Sequence, residues 1–260
     1  FRQYNFIRDS WFEFRSSLYG GKMTRQQILS LCRLYIPEAP SGVVSDANAY
    51  IILNNAALEF VDKADALPTY TDFDITASTQ RYALSTVCST NLKMRKEGIW
   101  LYDASITTWK QLDSITGAEM NKRYSTWLND AVATPQRAWI EGDFIYIHPK
   151  GDSTSDDIRI YHYAKSTDVD TDGEYFFSGS TTQYSWLAPY EETLIEYYKA
   201  RVYIDILGGN KIQKGQYAEQ KFYAKCLEAK NKLQYRSDLV PFHKVKIPSG
   251  LQPNRNMFQV

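Results

Sequence analysis

The chain has 260 residues, and its 30 Lys and Arg side chains balance 30 Asp and Glu side chains, so the formal net charge is zero. A protein that grips nucleic acid normally carries an excess of basic residues, and this chain has none. No apolar run approaches the roughly 20 residues that span a bilayer, and the N-terminus lacks the apolar region of a signal peptide. Composition therefore predicts a soluble protein that is not classically exported.

Cysteine and aromatic content set two further limits. Cys32, Cys88 and Cys226 are far apart and have no metal-ligand spacing, so core thiols in a reduced setting are favoured over a disulfide framework. The chain contains 20 Tyr, 12 Phe and 6 Trp, which is 15% aromatic residues. Such side chains suit interfaces that are wet at one edge. Aromatic cross-strand pairs in a β-rich fold account for them equally well.

Residues 1–22 predict an aromatic arm, because Gly20-Gly21 separates their aromatic side chains from anything they could pack against locally. Left exposed, these side chains would be a solubility liability. We therefore expect the arm to dock on this chain or on a neighbouring subunit. The side chains assigned to an inter-subunit contact are Phe6, Trp11, Phe12 and Phe14.

Two helices are predicted in residues 23–68, the first part of a helical body. Thr24 and Gln27 form a capping box at the start of the first helix, which prolines at 37 and 40 end. Ser45 caps the second helix, whose apolar residues recur at helical spacing until Leu67-Pro68. Its small side chains allow close helix packing.

Residues 69–187 predict an inserted, mainly antiparallel β domain. A capping box at Thr116 and Glu119 interrupts the strands with one helix through about Trp127. The strands are predicted over residues 73–75, 81–87, 92–95, 99–102, 107–112, 137–141, 144–148 and 156–164.

A β-hairpin over residues 137–149 is the clearest local signal, with a short turn that contains glycine and a proline that ends its second strand. Phe144 and Tyr146 lie on one face of that strand, and Ile145 and Ile147 lie on the other. A strand that is apolar on both faces must be covered on both. We expect one face to pack within the insert and the other against a neighbouring protein chain.

Residues 188–235 predict the second part of the helical body. Ala188-Pro189 followed by two glutamates is a strong helix start. Gly208-Gly209 breaks the helical pattern, and a last helix runs from about Lys211 to Tyr235 with a strongly charged outer face. Its periodic positions include Tyr217, Lys221, Ala224, Leu227 and Leu233.

Residues 236–260 predict an extended docking tail, because its prolines exclude a helix. Val245 and Ile247 alternate with Lys244 and Lys246, as in a single added strand. The alternative is that the tail wraps its own body. The side chains assigned to partner docking are Phe242, Val245, Ile247, Leu251, Met257 and Phe258. The fold class is α+β: a helical body, an inserted β domain and two extended arms.

No catalytic constellation is apparent, so we expect no enzyme, no cofactor and no bound metal. Residues 168–173 match the first half of a calcium loop, but Gly179 stands where the bidentate Glu should be, which favours a solvated turn. His148, His162 and His243 have no partners at metal-ligand spacing. No Ser, Cys and His arrangement indicates a nucleophile.

Six short phrases, in their order along the chain, resemble the head-to-tail adaptor proteins of tailed bacteriophages. The resemblance covers residues 23–235; it does not extend to the arm before Met23, which itself reads like a usual family start. The phrases are DANAYIILNNA (46–56), WKQLD (109–113), TPQRAWI (134–140), IYIHPK (145–150), RIYHYAK (159–165) and PYEETLIEY (189–197).

This resemblance implies a virion structural protein of the head-tail neck, made in the host bacterial cytoplasm. Such adaptors form a twelve-fold ring of identical copies beneath the portal protein and carry a tail or nozzle protein below. DNA is only passing cargo in the lumen during genome packaging and ejection. The helices from Thr24 and Pro189 would form the ring body, and residues 242–260 would reach up to the portal.

Two other functions stay open from the residues alone. A carbohydrate-binding or tail-surface β module of a virion would expose Trp100, Trp109 and Trp139 on one platform. A glycan hydrolase would need two carboxylates within about 5 to 10 Å of each other in a cleft.

Overall fold

The computed structural model describes residues 22–104, 106–152, 156–182 and 184–237, and these residues form an α+β fold, as predicted. The helices are α1 Arg25–Tyr35, α2 Asp46–Ala64, α3 Leu84–Val87, α4 Gly117–Arg123, α5 Glu191–Arg201 and α6 Ile212–Ser237. The strands are β1 Pro68–Asp74, β2 Arg81–Ala83, β3 Asn91–Asp103, β4 Thr108–Gln111, β5 Asp113–Ser114, β6 Arg137–Glu141, β7 Phe144–His148 and β8 Asp157–Ala164. A π-helical segment, Val202–Leu207, continues α5.

The predicted caps begin the first two helices. The Gln27 amide donates to Thr24 Oγ1, and the Thr24 amide donates to Gln27 Oε1 at 2.9 Å, so the capping box is complete. Ser45 Oγ accepts from the Asn48 amide at 3.3 Å and caps α2. Asp65, in the left-handed region with φ 52°, ends α2. These hydrogen bonds confirm the predicted caps. Such caps can be predicted from sequence because the two partners lie within one helical turn.

The helical body is built around the small-residue face of α2. Phe60 is fully buried at its centre, with ring centroids 5.0 Å from Phe177 and 5.5 Å from Tyr190. The segment after β8 also enters this core through Val169 and Leu187. The helical core thus includes residues from the range 69–187. Its helical members include Ile28, Cys32, Ala49, Leu53, Ala56, Ala57, Leu194, Tyr198, Phe222, Cys226 and Ala229.

The strands form two four-stranded sheets. Sheet A has the order β1-β8-β3-β4, and sheet B has the order β2-β7-β6-β5. Every described pairing is antiparallel except the short parallel pair of β5 and β6. The two strands predicted at 92–95 and 99–102 are one strand, β3, whose register shifts between Met94 and Ile99. Gly98, with φ 72°, permits this bulge.

An apolar cluster joins sheet A to sheet B. Ile158 and Ile160 of β8 are fully buried, as are Ile145 and Ile147 of β7. These residues alternate with less buried neighbours, so each strand places one face in the cluster. The predicted hairpin is confirmed: Glu141 pairs with Phe144 across a turn at Gly142, where φ is 57°.

The other face of the hairpin is covered by the same chain. Tyr146 stacks on Trp139 with centroids 5.1 Å apart, and Trp127 meets Trp139 edge-on, also at 5.1 Å. Met120 of α4 completes this cluster. The chain itself thus supplies aromatic cover on this face, while Phe144 and Tyr146 remain half-buried, and their contact with a neighbouring protein chain stays a prediction. The sequence does not show that α4 and the turn after it fold back onto β6 and β7.

Two predicted elements end early. The strand over 81–87 is only β2: Ala83 pairs with Phe144 at the start of β7, and the Leu84 amide makes one more hydrogen bond, to the Asp143 carbonyl in the hairpin turn. The chain continues as α3 instead. The helix expected through Trp127 ends at Arg123, and a short 3-10 turn over Trp127–Asn129 brings the indole onto Trp139.

Phe60 gives the most direct test of the helical core. We expect Phe60→Ala to lower the free energy of unfolding by about 3 to 5 kcal/mol, because it leaves a cavity against two aromatic rings. Urea denaturation measures this loss. Leu34→Ala, at a position 70% exposed on α1, is the control and should change stability by less than about 0.5 kcal/mol. Equal losses in the two variants would contradict this packing.

Candidate assembly surfaces

The residues predicted to dock lie outside the part of the chain that the structure describes. These are Phe242, Val245, Ile247, Leu251, Met257 and Phe258 in the tail and Phe6, Trp11, Phe12 and Phe14 in the arm. Their roles stay predictions. The described residues show where the two segments leave the body: the arm precedes Met23, whose amide donates to the buried Glu191 carboxylate, and the tail follows Ser237 at the end of α6.

Helix α6 has apolar residues on two opposite sides. Its buried side packs small residues tightly: a Cβ at Gly215 would lie 3.1 Å from the Ala200 carbonyl oxygen. On the opposite side, Tyr217 is 61% exposed and Leu227 is 60% exposed, with exposed Ala224 between them. We call Tyr217, Ala224 and Leu227 the α6 stripe. An apolar stripe on the outside of a helix is typical of a helix that packs against another chain.

The α6 stripe corrects the sequence reading of this helix. Of the periodic positions named there, Leu233 is buried, whereas Tyr217, Lys221, Ala224 and Leu227 face outward. Both sides of the helix satisfy helical spacing, so periodicity does not decide which one is buried. The small residues Gly215, Ala218 and Ala229 could have identified the packed side, since they let α6 approach its neighbours closely.

Helix α2 also presents apolar residues to the outside. Ile51 is 58% exposed and Leu58 is 37% exposed, and Asn55 lies between them on the same side. We call these three residues the α2 stripe. Single exposed apolar residues are ordinary on a protein surface. Two such residues separated by two helical turns form a ridge that a second helix can pack against.

The groove beside α2 offers little to a small ligand. Its volume is about 190 Å³, below the roughly 300 Å³ of ordinary ligand sites. Arg201 lines it but is engaged: it lies 3.3 Å from Glu219, 3.9 Å from Asp205 and 5.0 Å from the Tyr197 ring centroid. A second groove, next to β1, has no carboxylate in its lining. Neither groove provides the carboxylate pair of a glycan hydrolase.

The outer face of sheet A holds a stacked arginine. The Arg159 guanidinium lies 4.0 Å from the Tyr70 ring centroid and 4.1 Å from that of Trp109. Its Nε and Nη2 donate to the two Asp72 oxygens at 2.8 and 2.7 Å. These hydrogen bonds to Asp72 raise the pKa of Arg159, which stays charged. This arrangement fixes a planar cation and two rings on the sheet surface.

The three tryptophans of the carbohydrate-binding alternative do not form one platform. Trp139 is buried in the cluster with Trp127. Trp100 and Trp109 are half-buried in sheet A, and each already has an aromatic neighbour: Tyr161 meets Trp100 edge-on, and Tyr102 lies 5.3 Å from Trp109. A sugar ring would have to displace these contacts.

The candidate chemical groups have structural partners. His148 Nε2 lies 2.8 Å from Asp130, and His162 Nε2 lies 2.9 Å from Thr71 Oγ1, while burial lowers the pKa of His162. Burial also raises the pKa of Cys32, and it raises that of Cys226 to about 12. Such thiols are poor nucleophiles because the thiolate is scarce.

The acidic loop at residues 168–173 is held by hydrogen bonds within the chain. The amides of Asp170 and Thr171 donate to Glu174, and the Tyr50 hydroxyl donates to Asp172 at 3.2 Å. In the residues that the structure describes, no group of three or more His, Cys, Asp and Glu side chains is placed to hold a metal ion. Within the same residues, no helix combines the length and apolar composition needed to cross a membrane.

Comparison with protein families shows to which family the chain belongs. The SU10 adaptor protein family matches residues 23–242, which include every described helix and strand. The chain belongs to the SU10 adaptor family. This match confirms the resemblance to phage head-to-tail adaptors that the six phrases indicated. No curated protein matches the chain.

The SU10 adaptor family places this chain among the phage adaptor proteins. An adaptor is a structural class of protein and a component of the virion. The family match starts at Met23, so the predicted arm lies outside it, and ends at Phe242, so most of the predicted tail also lies outside it.

Two carboxylates, Glu192 of α5 and Glu228 of α6, predict different effects of pH on stability. Burial raises the pKa of Glu192 to about 7, so the folded chain holds this proton more tightly than the unfolded chain does. The protonated Glu192 side chain therefore favours the folded state below the ordinary pKa of 4.5, and this contribution to stability is lost as the pH rises to about 7. We therefore expect Glu192→Gln to be more stable than the original protein at about pH 8 but not at about pH 5, by urea denaturation.

Glu228 supplies the control of opposite sign. Hydrogen bonds from Lys225 and Lys232 lower the pKa of Glu228 to about 2. The stability that its ionised carboxylate contributes is therefore lost only at acid pH. The stability difference between Glu228→Gln and the original protein should therefore not change between about pH 5 and about pH 8. Parallel pH profiles for Glu192→Gln and the original protein would contradict the burial of Glu192.

Proposed function

We propose that this SU10-family adaptor forms a closed ring under the portal of the phage head, extends the DNA channel and provides the platform for the tail. The α6 stripe is the observation that carries the proposal. Tyr217 and Leu227 are large apolar residues, both about 60% exposed, on a helix whose other side is fully packed. Within one copy the Lys221 ammonium lies 4.6 Å from the Tyr217 ring centroid, and contact between copies would bury the exposed remainder of the stripe.

A ring requires two different surfaces that meet around the circle. The α6 stripe of one copy and the α2 stripe of the next are suitable, because each is an apolar ridge along an exposed helix. Burying a side chain such as Leu227 at this contact contributes about 1.5 to 3 kcal/mol. The resemblance to head-to-tail adaptor proteins implies twelve copies of the chain in the ring.

The arms would lock the ring and join it to its neighbours. Phe6, Trp11, Phe12 and Phe14 would reach a neighbouring copy from residues 1–22. Residues 236–260 would reach the portal through Phe242, Val245, Ile247, Leu251, Met257 and Phe258. Zero net charge suits a lumen through which DNA passes without being held. The helical body, residues 23–68 and 188–235, would form the ring wall, and the insert, residues 69–187, would present a platform to the tail or nozzle protein.

Charge on the α6 stripe should abolish the ring. We expect Tyr217→Glu with Leu227→Glu to yield a folded monomer, because both positions are exposed in one copy and each Glu would be desolvated between copies. Native mass spectrometry measures the number of copies. Leu128→Glu is the matched control, since Leu128 is 59% exposed but lies in the turn after α4. A ring that survives the double substitution would rule out the α6 stripe as its contact.

Removal of the tail should separate ring formation from portal binding. We expect a chain that ends at Ser237, the last residue of α6, to stay folded and to keep its ring but to lose binding to the portal. Pull-down with purified portal protein measures the binding. Full binding by the shortened chain would contradict the tail assignment.

A further inference from the structure

Strand β1 is an edge strand of sheet A. On one side, the Leu67 carbonyl accepts from the Ala164 amide at 2.9 Å, and the Ile75 amide donates to the Asp156 carbonyl at 3.0 Å. Backbone groups alternate in direction along a strand, so the odd-numbered residues of β1 face β8. The amides and carbonyls of Tyr70 and Asp72 therefore point away from it. Within the described residues, no strand pairs with β1 on that side.

An aromatic groove adjoins this edge. Its volume is about 380 Å³, and its lining includes residues 67–71 together with Phe177, Tyr184 and Trp186. The Tyr184 and Trp186 rings lie 4.9 Å apart and are 38% and 36% exposed. The lining also contains four threonines and Lys165. A strand edge with a groove beside it is the arrangement that accepts an extended segment: the backbone pairs with the edge, and alternate side chains enter the groove.

The outer face of β1 carries excess negative charge. Asp72 and Asp74 are exposed there, and Asp157 of β8 lies beside them. Burial and the adjacent Asp74 raise the pKa of Asp157. Arg159 neutralises only Asp72, to which it is bound through two hydrogen bonds. A segment that brings lysines to this face would balance the remaining charge.

Helix α6 directs the tail towards β1. Tyr223 donates to Glu59 of α2 at 3.3 Å, and Lys230 lies 3.0 Å from Asp65, so the two helices run in the same direction. Helix α2 ends at Asp65, just before β1 begins at Pro68. Helix α6 continues for about 10 Å beyond Lys230. The chain therefore leaves α6 on the side of the body where β1 starts.

The tail contains a segment with matching chemistry. Between Ser237 and Lys244 the chain can span roughly 23 Å, at about 3.3 Å per residue. It then alternates Lys244, Val245, Lys246 and Ile247, and a proline follows. Paired with β1, such a strand would place both lysines on the acidic outer face and both apolar side chains on the groove side. Proline then ends the pairing, since it has no N–H to donate.

We propose that residues 244–247 add to β1 of the same chain as a fifth strand of sheet A before the adaptor assembles. Val245 and Ile247 occupy the groove beside Tyr184 and Trp186, and Lys244 and Lys246 lie beside Asp72 and Asp74. This goes beyond portal docking and does not depend on it, because it gives the tail a position when no portal is present. The edge strand and the apolar tail, each an aggregation liability, cover one another.

Amide hydrogen exchange of the full-length protein tests this pairing residue by residue. In the original protein we expect the Tyr70 and Asp72 amides to be protected. In Val245→Asp with Ile247→Asp they should exchange at least about tenfold faster, because the added strand is lost. The Thr71 and Phe73 amides, which face β8, should stay protected in both proteins. Leu251→Asp with Phe258→Asp, beyond the strand, is the matched control and should leave Tyr70 and Asp72 protected.

Two results with these proteins, and a third with a mixture of them, would overturn the proposal. Fast exchange of Tyr70 and Asp72 in the original protein, or protection that survives Val245→Asp with Ile247→Asp, would remove the added strand. Isotopically labelled double variant mixed with unlabelled original protein should keep fast exchange at both amides. Restored protection would assign the strand to a second copy.

Failure of the original protein to bind portal would refute only the proposed function, because the exchange is measured without portal.

Discussion

The Asp65 carboxylate joins the three parts of the structure. It lies at the left-handed residue that ends α2, is only 11% exposed, and forms ion pairs with Lys93 of β3 and Lys230 of α6. A carboxylate removed from water in this way is stable only while its cations are present. The end of α2, strand β3 of sheet A and the final helix α6 are therefore held together at one point.

Close packing inside the body determines what remains outside. Helices α2 and α6 use small residues to approach their neighbours, and large apolar residues remain on their outer sides. Tyr217 and Leu227 are therefore available to another copy, while the sheets and their aromatic clusters are filled by the chain itself. This division leaves the outer sides of the two helices exposed, and the proposed contacts between copies use those sides.

Features with local causes could be predicted from the sequence. The capping boxes at Thr24 and Thr116 and the hairpin around Gly142 depend on residues within a few positions of each other. The differences have distant causes: residues 84–87 become helix where the pairing of β2 with β7 ends, and the Trp127 ring packs on the hairpin from a turn that sequence pattern does not place there. Periodicity could not identify the buried side of α6. The predicted tail and arm residues lie outside the described part of the chain, and the α6 stripe was missed.

Imaging the purified protein together with portal protein, by negative stain with a native mass of the complex, tests the central claim most directly. A closed ring of adaptor copies on one face of the portal, with a continuous central channel, is the predicted result. Isolated single copies on the portal, or a stable adaptor monomer that never joins it, would contradict the account.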